Sequence, residues 1–270
     1  ERNYQVGTVK YSDVLQWRVK LQQDQTTLSK IENDIKELSG YWQILLGISD
    51  RALFPAGLNL ADFDNSIKKY AEMDSLETSL ELEKFLYKVK QTSAVLSSLD
   101  LGNRMMEKNY LLAKGNFLPS LNLQFSYELE NDDKFDLSGD ENWNLAAVIS
   151  LPIFSSGDNY TNLKKTKYEL ESTRLASEYT RDNYLVAAGN TFGRLALRAK
   201  VVEDNKTALE FARENHKIIN DLYDQGMVTN SELLDAELML FGSESELLSA
   251  YYDFILTEHE LNRYYDSKEE

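Results

Sequence analysis

From Tyr11 onward the apolar residues recur on a heptad. Val14, Leu21, Leu28, Ile35 and Trp42 are seven apart, and Trp17, Ile31, Leu38 and Leu45 fill the complementary seam, with Asp24 as its one polar position. This alternating three-and-four spacing puts the apolar side chains on one stripe and predicts a long coiled-coil-like helix. Gly47 is placed to stop it. Residues 48–75, broken by Pro55 and Gly57, read as a connector with short helical pieces. A second long helix is predicted over roughly 76–116, with Leu82, Val89 and Leu96 on one seam, flanked by Phe85 and Leu99.

The period then changes from helical to two. In LPSLNLQFSYELE, the residues Leu121, Leu123, Phe125, Tyr127 and Leu129 alternate with Asn122, Gln124, Ser126, Glu128 and Glu130. After the polar stretch NDDKFDLSGDEN, alternation resumes through Trp143, Leu145, Ala147, Ile149, Leu151 and Ile153. Two such runs predict a β-hairpin over 119–154 with one wet and one dry face. From about Tyr160 to Tyr223 there is no proline, and only Gly189 and Gly193 interrupt the helix-forming composition. Sixty helical residues would reach roughly 90 Å, far more than a globular helix. A final helix carries Leu233, Leu240, Leu247, Phe254 and Leu261 on one seam and the smaller Ala236, Ser243, Ala250, Thr257 and Tyr264 on the other.

Two segments repeat. YQVGTVKYSDVLQWR (Tyr4 to Arg18) and YDQGMVTNSELLDAE (Tyr223 to Glu237) both read Tyr-x-x-Gly-x-Val-x-x-Ser-acid-apolar-Leu, and the helices that follow share their heptad phase. Each copy reads as the bend of an antiparallel helical hairpin. Gly7 and Gly226 supply backbone freedom at the bend, and Ser12 and Ser231 are expected to cap the outgoing helices. The first copy has no incoming helix before it, and the chain starts at Glu1 without a signal peptide. The expectation is a mature or trimmed piece of a longer two-repeat protein, with a long helix and another hairpin upstream.

The formal net charge is −16, from 45 acidic and 29 basic residues. A nucleic-acid binder needs a basic face, so that class is set aside. With no cysteine, disulfides, thiolate nucleophiles and cysteine-based zinc sites are excluded. The two histidines, His216 and His259, fall on different helices, and no metal-binding pair, Walker loop or dinucleotide fingerprint is present. Asp132/Asp133 and Glu269/Glu270 lie in a loop and at the tail. No enzyme, metal or cofactor is expected. No apolar run approaches the ~18 residues of a spanning helix. The carboxylates that stand out follow the repeated turns: Asp13, Glu232 and Asp235. Glu232 and Asp235 share a helix face, and all three suit the positive end of a helix dipole.

The stretches LLGIS, FLPSLNLQFSY, ISLPIFSSGDNYTNLKKTKYELE and YDQGMVTNSELLDAELML, which follow one another in the family's order, resemble the TolC-like outer membrane efflux proteins. The resemblance implies a mainly α fold: long antiparallel coiled-coil-like helices of an α-barrel, plus a β-hairpin contributing to a transmembrane β-barrel. It implies residues 1–118 and 155–270 as periplasmic helical segments around an outer membrane hairpin at 119–154. It further implies a homotrimer whose strands share one twelve-stranded barrel, working with a periplasmic adaptor and an inner-membrane transporter in efflux or type I secretion. Each family protomer supplies four strands and this chain shows two, as expected of a partial chain. By resemblance, Gly7, Val9, Ser12, Gly226, Val228 and Ser231 form adaptor-docking turns. Asp13, Glu232 and Asp235 would ring the periplasmic entrance. Trp143, Tyr127 and Phe125 suit an aromatic girdle. The competing expectation is a soluble periplasmic coiled-coil scaffold or adaptor, with the hairpin packed as a small sheet on the helices.

Overall fold

In a computed structural model the described residues are 11–47, 57–130, 140–151, 153 and 157–265. The elements are α1 (Tyr11–Leu46), a 3-10 turn (Leu60–Phe63), α2 (Asp64–Ala71), α3 (Ser75–Thr92), α4 (Ala94–Gly115), β1 (Ser120–Glu130), β2 (Asp140–Ser150), α5 (Asp158–Asp224) and α6 (Asn230–Asn262). The first helix ends as its sequence indicates, with Gly47 at φ +64. Helix α5 runs 67 residues. Gly189 does not break it; a Cβ there would meet only Leu82 Cδ1, at 3.9 Å.

The expected helix over 76–116 is interrupted. Ser93 is extended (φ −67, ψ 121) and buried, and α4 restarts behind it. Its hydroxyl accepts from the Leu96 N–H and donates to the Tyr184 hydroxyl (3.1 Å), which donates to the Tyr264 carbonyl (3.2 Å). A serine side chain that offers the backbone an alternative partner competes with the helix. At this position a tertiary partner rewards the break, which a heptad count over Leu82, Val89 and Leu96 does not register.

Contacts divide the chain into two compact units. One comprises Ser75–Gly193 with His259–Glu270. Val89 and Leu96 are buried there with Ala188 and Phe192 of α5. Phe85 stacks on Phe192 (5.7 Å between centroids) and meets Tyr265 edge-on (5.9 Å). Each such aromatic pair adds about 0.5–1.5 kcal/mol beyond its area. Asp100 and Glu107 pair with Arg181 and Arg174 at the exposed margin, where an ion pair contributes little.

The other unit comprises Glu1–Asp74 with Arg194–Glu258. Leu195, Ala199 and Val202 of α5 are buried there, as are Ala236, Ala250 and Phe254 of α6. Both expected seams of α6 are buried or half-buried along their length. Ala236 and Ala250 are buried on the small-residue seam and Ser243 is half-buried. By contrast, most of the α1 stripe is exposed. Val14 is buried, but Leu21 is 59% and Leu28 56% exposed. The periodicity is real, and its partner is not supplied by the described residues.

The connector is fastened by polar as well as apolar contacts. Ile67 is fully buried and Tyr70 lies against Phe254 (6.4 Å). Asp64 Oδ1 accepts from Lys206 Nζ (2.9 Å) and from the Tyr251 hydroxyl (2.7 Å), and the Ser66 hydroxyl donates to Glu258 (2.6 Å). The bonds from Lys206 and Tyr251 hold the Asp64 carboxyl below its ordinary range despite some burial. Burial works against the Lys206 charge, but bonds with Glu203, Asp64 and Tyr251 outweigh it and raise the ammonium well above 10.5.

The pH dependence follows from these directions. A depressed Asp contributes stability above its unfolded value of 3.8 and loses it as pH falls through the lower folded value. A raised Lys contributes fully below 10.5 and loses it as pH rises through its folded value. Asp64→Asn should therefore cost about 1 kcal/mol, discounted for partial exposure, throughout the plateau between 3.8 and 10.5. The gap from wild type should close at either extreme. Urea titrations of both proteins across pH check this, and a constant gap down to acid pH would refute it.

Candidate functional site

The second repeated turn is a sharp reversal with both helix ends satisfied. At the end of α5, the Met227 N–H donates to the Leu222 carbonyl and the Gly226 N–H to the Tyr223 carbonyl, both at 2.9 Å. Gly226 sits at φ +70. This is a Schellman closure, and the left-handed position is where glycine avoids the Cβ penalty.

The start of α6 corrects one expectation. Ser231 does not cap it; Thr229 does. The Thr229 hydroxyl accepts from the Glu232 N–H (3.3 Å), and Glu232 Oε2 accepts from the Thr229 N–H (2.7 Å) and hydroxyl (2.8 Å). The helix begins at Asn230, so the cap falls two residues ahead of Ser231. The result is a reciprocal capping box, legible as Thr-x-x-Glu. Ser12 likewise lies inside α1, with its hydroxyl on the Asp13 carboxylate (3.2 Å). Bonds from the Thr229 N–H, then its hydroxyl, hold the Glu232 carboxyl below the usual carboxylate range.

Asn230, which no sequence signal singles out, anchors the turn to α1. It is 5% exposed. Its Oδ1 accepts from the Trp17 indole N–H, and its Nδ2 donates to Gln16 Oε1 (3.1 Å). Its partners lie more than two hundred positions away in sequence, beyond the reach of local pattern. Next to this clamp, Leu15 and Val19 of α1 and Leu234 and Leu238 of α6 line an open groove of about 490 Å³. Val228 is half-buried, Met227 is 69% exposed, and Ser231 and Asp235 are exposed. Asp13 is half-buried. Gly7 and Val9 lie outside the described residues, so only the second turn's geometry is on view.

The hairpin is the other candidate element. β1 and β2 pair antiparallel with Leu121 opposite Ile149, Leu123 opposite Ala147, Phe125 opposite Leu145 and Tyr127 opposite Trp143. All eight share one face. Asn122, Gln124, Ser126 and Glu128 occupy the other. The apolar face is open: Leu123 is 72%, Phe125 66% and Trp143 70% exposed. A sheet packed on the helices would have hidden that face. Seven residues from Leu121 to Tyr127 make a band of roughly 23 Å, with the Tyr127–Trp143 pair at one end. At the 35–45° tilt of barrel strands this covers roughly 16–19 Å of an apolar belt about 25 Å tall, with the aromatic pair placed as in its girdle. Among the described residues no helix is long and apolar enough to cross a membrane.

Asn230→Ala should strand the Trp17 indole N–H and cost about 1–3 kcal/mol. Gly226→Ala should cost about 1–2 kcal/mol through the left-handed backbone. Chemical denaturation of the purified protein checks both. If Asn230→Ala matches wild type, the clamp contributes nothing to stability.

Comparison with known proteins bears on both elements. The outer membrane efflux protein family profile matches residues 85–265. The solvent efflux pump outer membrane protein SrpC of Pseudomonas putida is 30% identical over 161 residues, 55% of this chain and 32% of that protein. The outer membrane protein TolC of Vibrio cholerae is 26% identical over 202 residues, 70% of this chain and 44% of that protein. The chain thus spans less than half the length of these curated relatives. A solved structure of CusC is similar with a TM-score of 0.74 at 18% identity, covering 97% of this chain and 59% of that one. At this identity the likeness is one of fold. With the hairpin, the long helices and the greater part of the sequence all matched, the chain belongs to the outer membrane efflux protein family.

Proposed function

We propose that this chain belongs to one protomer of an outer membrane duct, passively exporting small molecules or proteins across the periplasm and outer membrane. The observation that carries the reading is the hairpin. It has an apolar face open to its surroundings and, among the described residues, no strand beyond its own partner. A two-stranded ribbon is not stable alone in water, and in lipid every backbone group needs a partner. Strands from the rest of the protein and from two further copies would close the barrel. The exposed α1 stripe supports the same assembly, since a neighbouring helix would cover it.

In this reading the helical segments 1–118 and 155–270 are periplasmic, and 119–154 is the outer membrane part. Transport energy comes from an inner-membrane transporter coupled through a periplasmic adaptor. The two turns form the tips that the adaptor meets, with Gly7, Val9 and Ser12 in one and Gly226, Val228 and Ser231 in the other. Asp13, Glu232 and Asp235 stand just behind the tips, where three protomers would gather carboxylates around one entrance and favour cations. Glu232 would serve both the capping box and this ring. A soluble scaffold is the rival reading, and the open apolar hairpin face weighs against it.

The full-length protein reconstituted in planar bilayers tests the duct. Discrete conductance with cation preference is expected, reduced in Glu232→Gln/Asp235→Asn. A protein that stays monodisperse without detergent and forms no conductance would sink the reading.

Assembly and docking separate by position. Leu21→Glu/Leu28→Glu charges a stripe exposed in the single chain, so it should abolish the trimer while leaving helix content unchanged. Trimer at wild-type level would place that stripe outside the interface. Met227→Asp/Val228→Asp should leave the trimer intact while abolishing export and cross-linking to the adaptor. Wild-type cross-linking would leave the turn a purely structural bend.

A further inference from the structure

Charge is spread unevenly along the unit that carries the hairpin. The chain is strongly acidic overall, at −16. The helix ends adjoining the strands are basic. Residues 108–115 of α4 contain Lys108 and Lys114 and no acid; residues 160–168 of α5 contain Lys164, Lys165 and Lys167 and no acid. All of these lysines are exposed. The nearby carboxylates are Asp158, Glu107, which pairs with Arg174, and Glu169, which lies 3.7 Å from Lys165.

Tyrosines are interleaved with the lysines. Lys114 Nζ lies 4.5 Å from the centre of the Tyr110 ring, and Lys164 Nζ lies 4.9 Å from that of Tyr160. Tyr160 and Tyr168 are 58% and 63% exposed. Tyr160, Lys164, Lys167 and Tyr168 follow i, i+4, i+7, i+8 spacing and share one face of α5. Leu163, Leu170 and Ser177 lie on the inward face, half-buried or buried. Asn159 Nδ2 donates to the Asn116 carbonyl (3.3 Å), which holds the two helix ends level with each other.

The collar sits at the strand-side ends of both helices. Lys114 is the last residue but one of α4, and Lys164 and Lys167 lie six and nine residues into α5, roughly 9 and 14 Å at the helical rise. A headgroup layer is about 5–8 Å deep, and a lysine reaches several ångströms along its stem while its ammonium seeks polar surroundings. Tyrosine rings favour the same depth. Phosphodiester groups there would meet the ammonium groups of Lys114, Lys164 and Lys167, while Glu169 faces Lys165.

We propose that this lysine–tyrosine collar binds anionic phospholipid headgroups in the leaflet facing the helices. The proposal rests on the reading of the hairpin as barrel wall. An acidic protein is repelled by an anionic surface, and the collar reverses that repulsion at the one level where the surface is met. Three protomers would repeat it around the barrel.

The test uses the full-length trimer in detergent, titrated with phosphatidylglycerol, phosphatidylcholine or inorganic phosphate, with thermal unfolding as readout. Phosphatidylglycerol should raise the wild-type midpoint by several degrees, through preferential binding to the folded state; the other two should not. Lys114→Gln/Lys164→Gln/Lys167→Gln should weaken the lipid's apparent affinity by about tenfold or more, and Lys→Arg at the same positions should restore it. A full wild-type response in the glutamine variant overturns the proposal. So does an equal response to phosphatidylcholine, which makes charge irrelevant, or to inorganic phosphate, which makes the site one for free anions. A separate readout guards the underlying reading. A thiol introduced by Phe125→Cys should be protected from a membrane-impermeant maleimide in liposomes. Complete labelling overturns the membrane reading and the collar with it; protection with an unchanged lipid response overturns the collar alone.

Discussion

A strand edge that enters hydrocarbon must find another strand. β1 and β2 satisfy each other along eleven residues apiece, and each keeps an outer row of backbone donors and acceptors. In water that row is solvated. In lipid each unpaired group costs several kcal/mol. The apolar face formed by Leu121, Leu123, Phe125, Leu145 and Ile149 favours the lipid, and the edges forbid it alone. That conflict resolves only by closure with more strands. The α1 stripe is a second apolar surface without cover among the described residues: Leu21, Leu28 and Ile35 are all exposed.

The helices illustrate what a heptad can and cannot say. α1 and α6 carry apolar positions in the same register. On α6 those positions are covered within the chain: Leu233, Phe254 and Leu261 are buried. On α1 the corresponding stripe is largely open. Periodicity declares that a stripe needs cover; it does not declare which surface provides it. The same limit applies to Ser93. Its neighbours Val89 and Leu96 keep heptad spacing and both are buried, yet the helix between them breaks because the hydroxyl of Tyr184 is within reach.

What was legible in the sequence was whatever local chemistry determines. The β-alternation from Leu121 to Tyr127 and from Trp143 to Ile149 dictates the strands and which side chains share the apolar face; their register comes from the pairing itself. Gly47 and Gly226 stand at left-handed positions, as a helix stop and a tight bend require. The cap of α6 falls at Thr229, two residues before the serine common to both turns, because Thr229 and Glu232 form a reciprocal capping box. Asn230 and Asp64 were not legible at all. Each gains its meaning from partners far along the chain, Gln16 and Trp17 for one, Lys206 and Tyr251 for the other.

Those long-range partners also show that the two turn copies are not equivalent. The residues shared between them, tyrosine, glycine, valine, serine and leucine, belong to the bend and to the first turn of the outgoing helix. The residues that differ are the ones that anchor. Lys10 stands where Thr229 caps, and Tyr11 stands where Asn230 clamps. Trp17, which receives the clamp, corresponds to Ala236, a small residue buried on α6. Helix α6 thus holds on to α1 through the Asn230 side chain, a residue type that the equivalent position of the first copy does not carry. Repeats related by an exact two-fold would make every such contact twice. The two copies share the residue types of the bend, while the residues that clamp α6 to α1, Asn230 and Trp17, are replaced at the equivalent sequence positions by Tyr11 and Ala236.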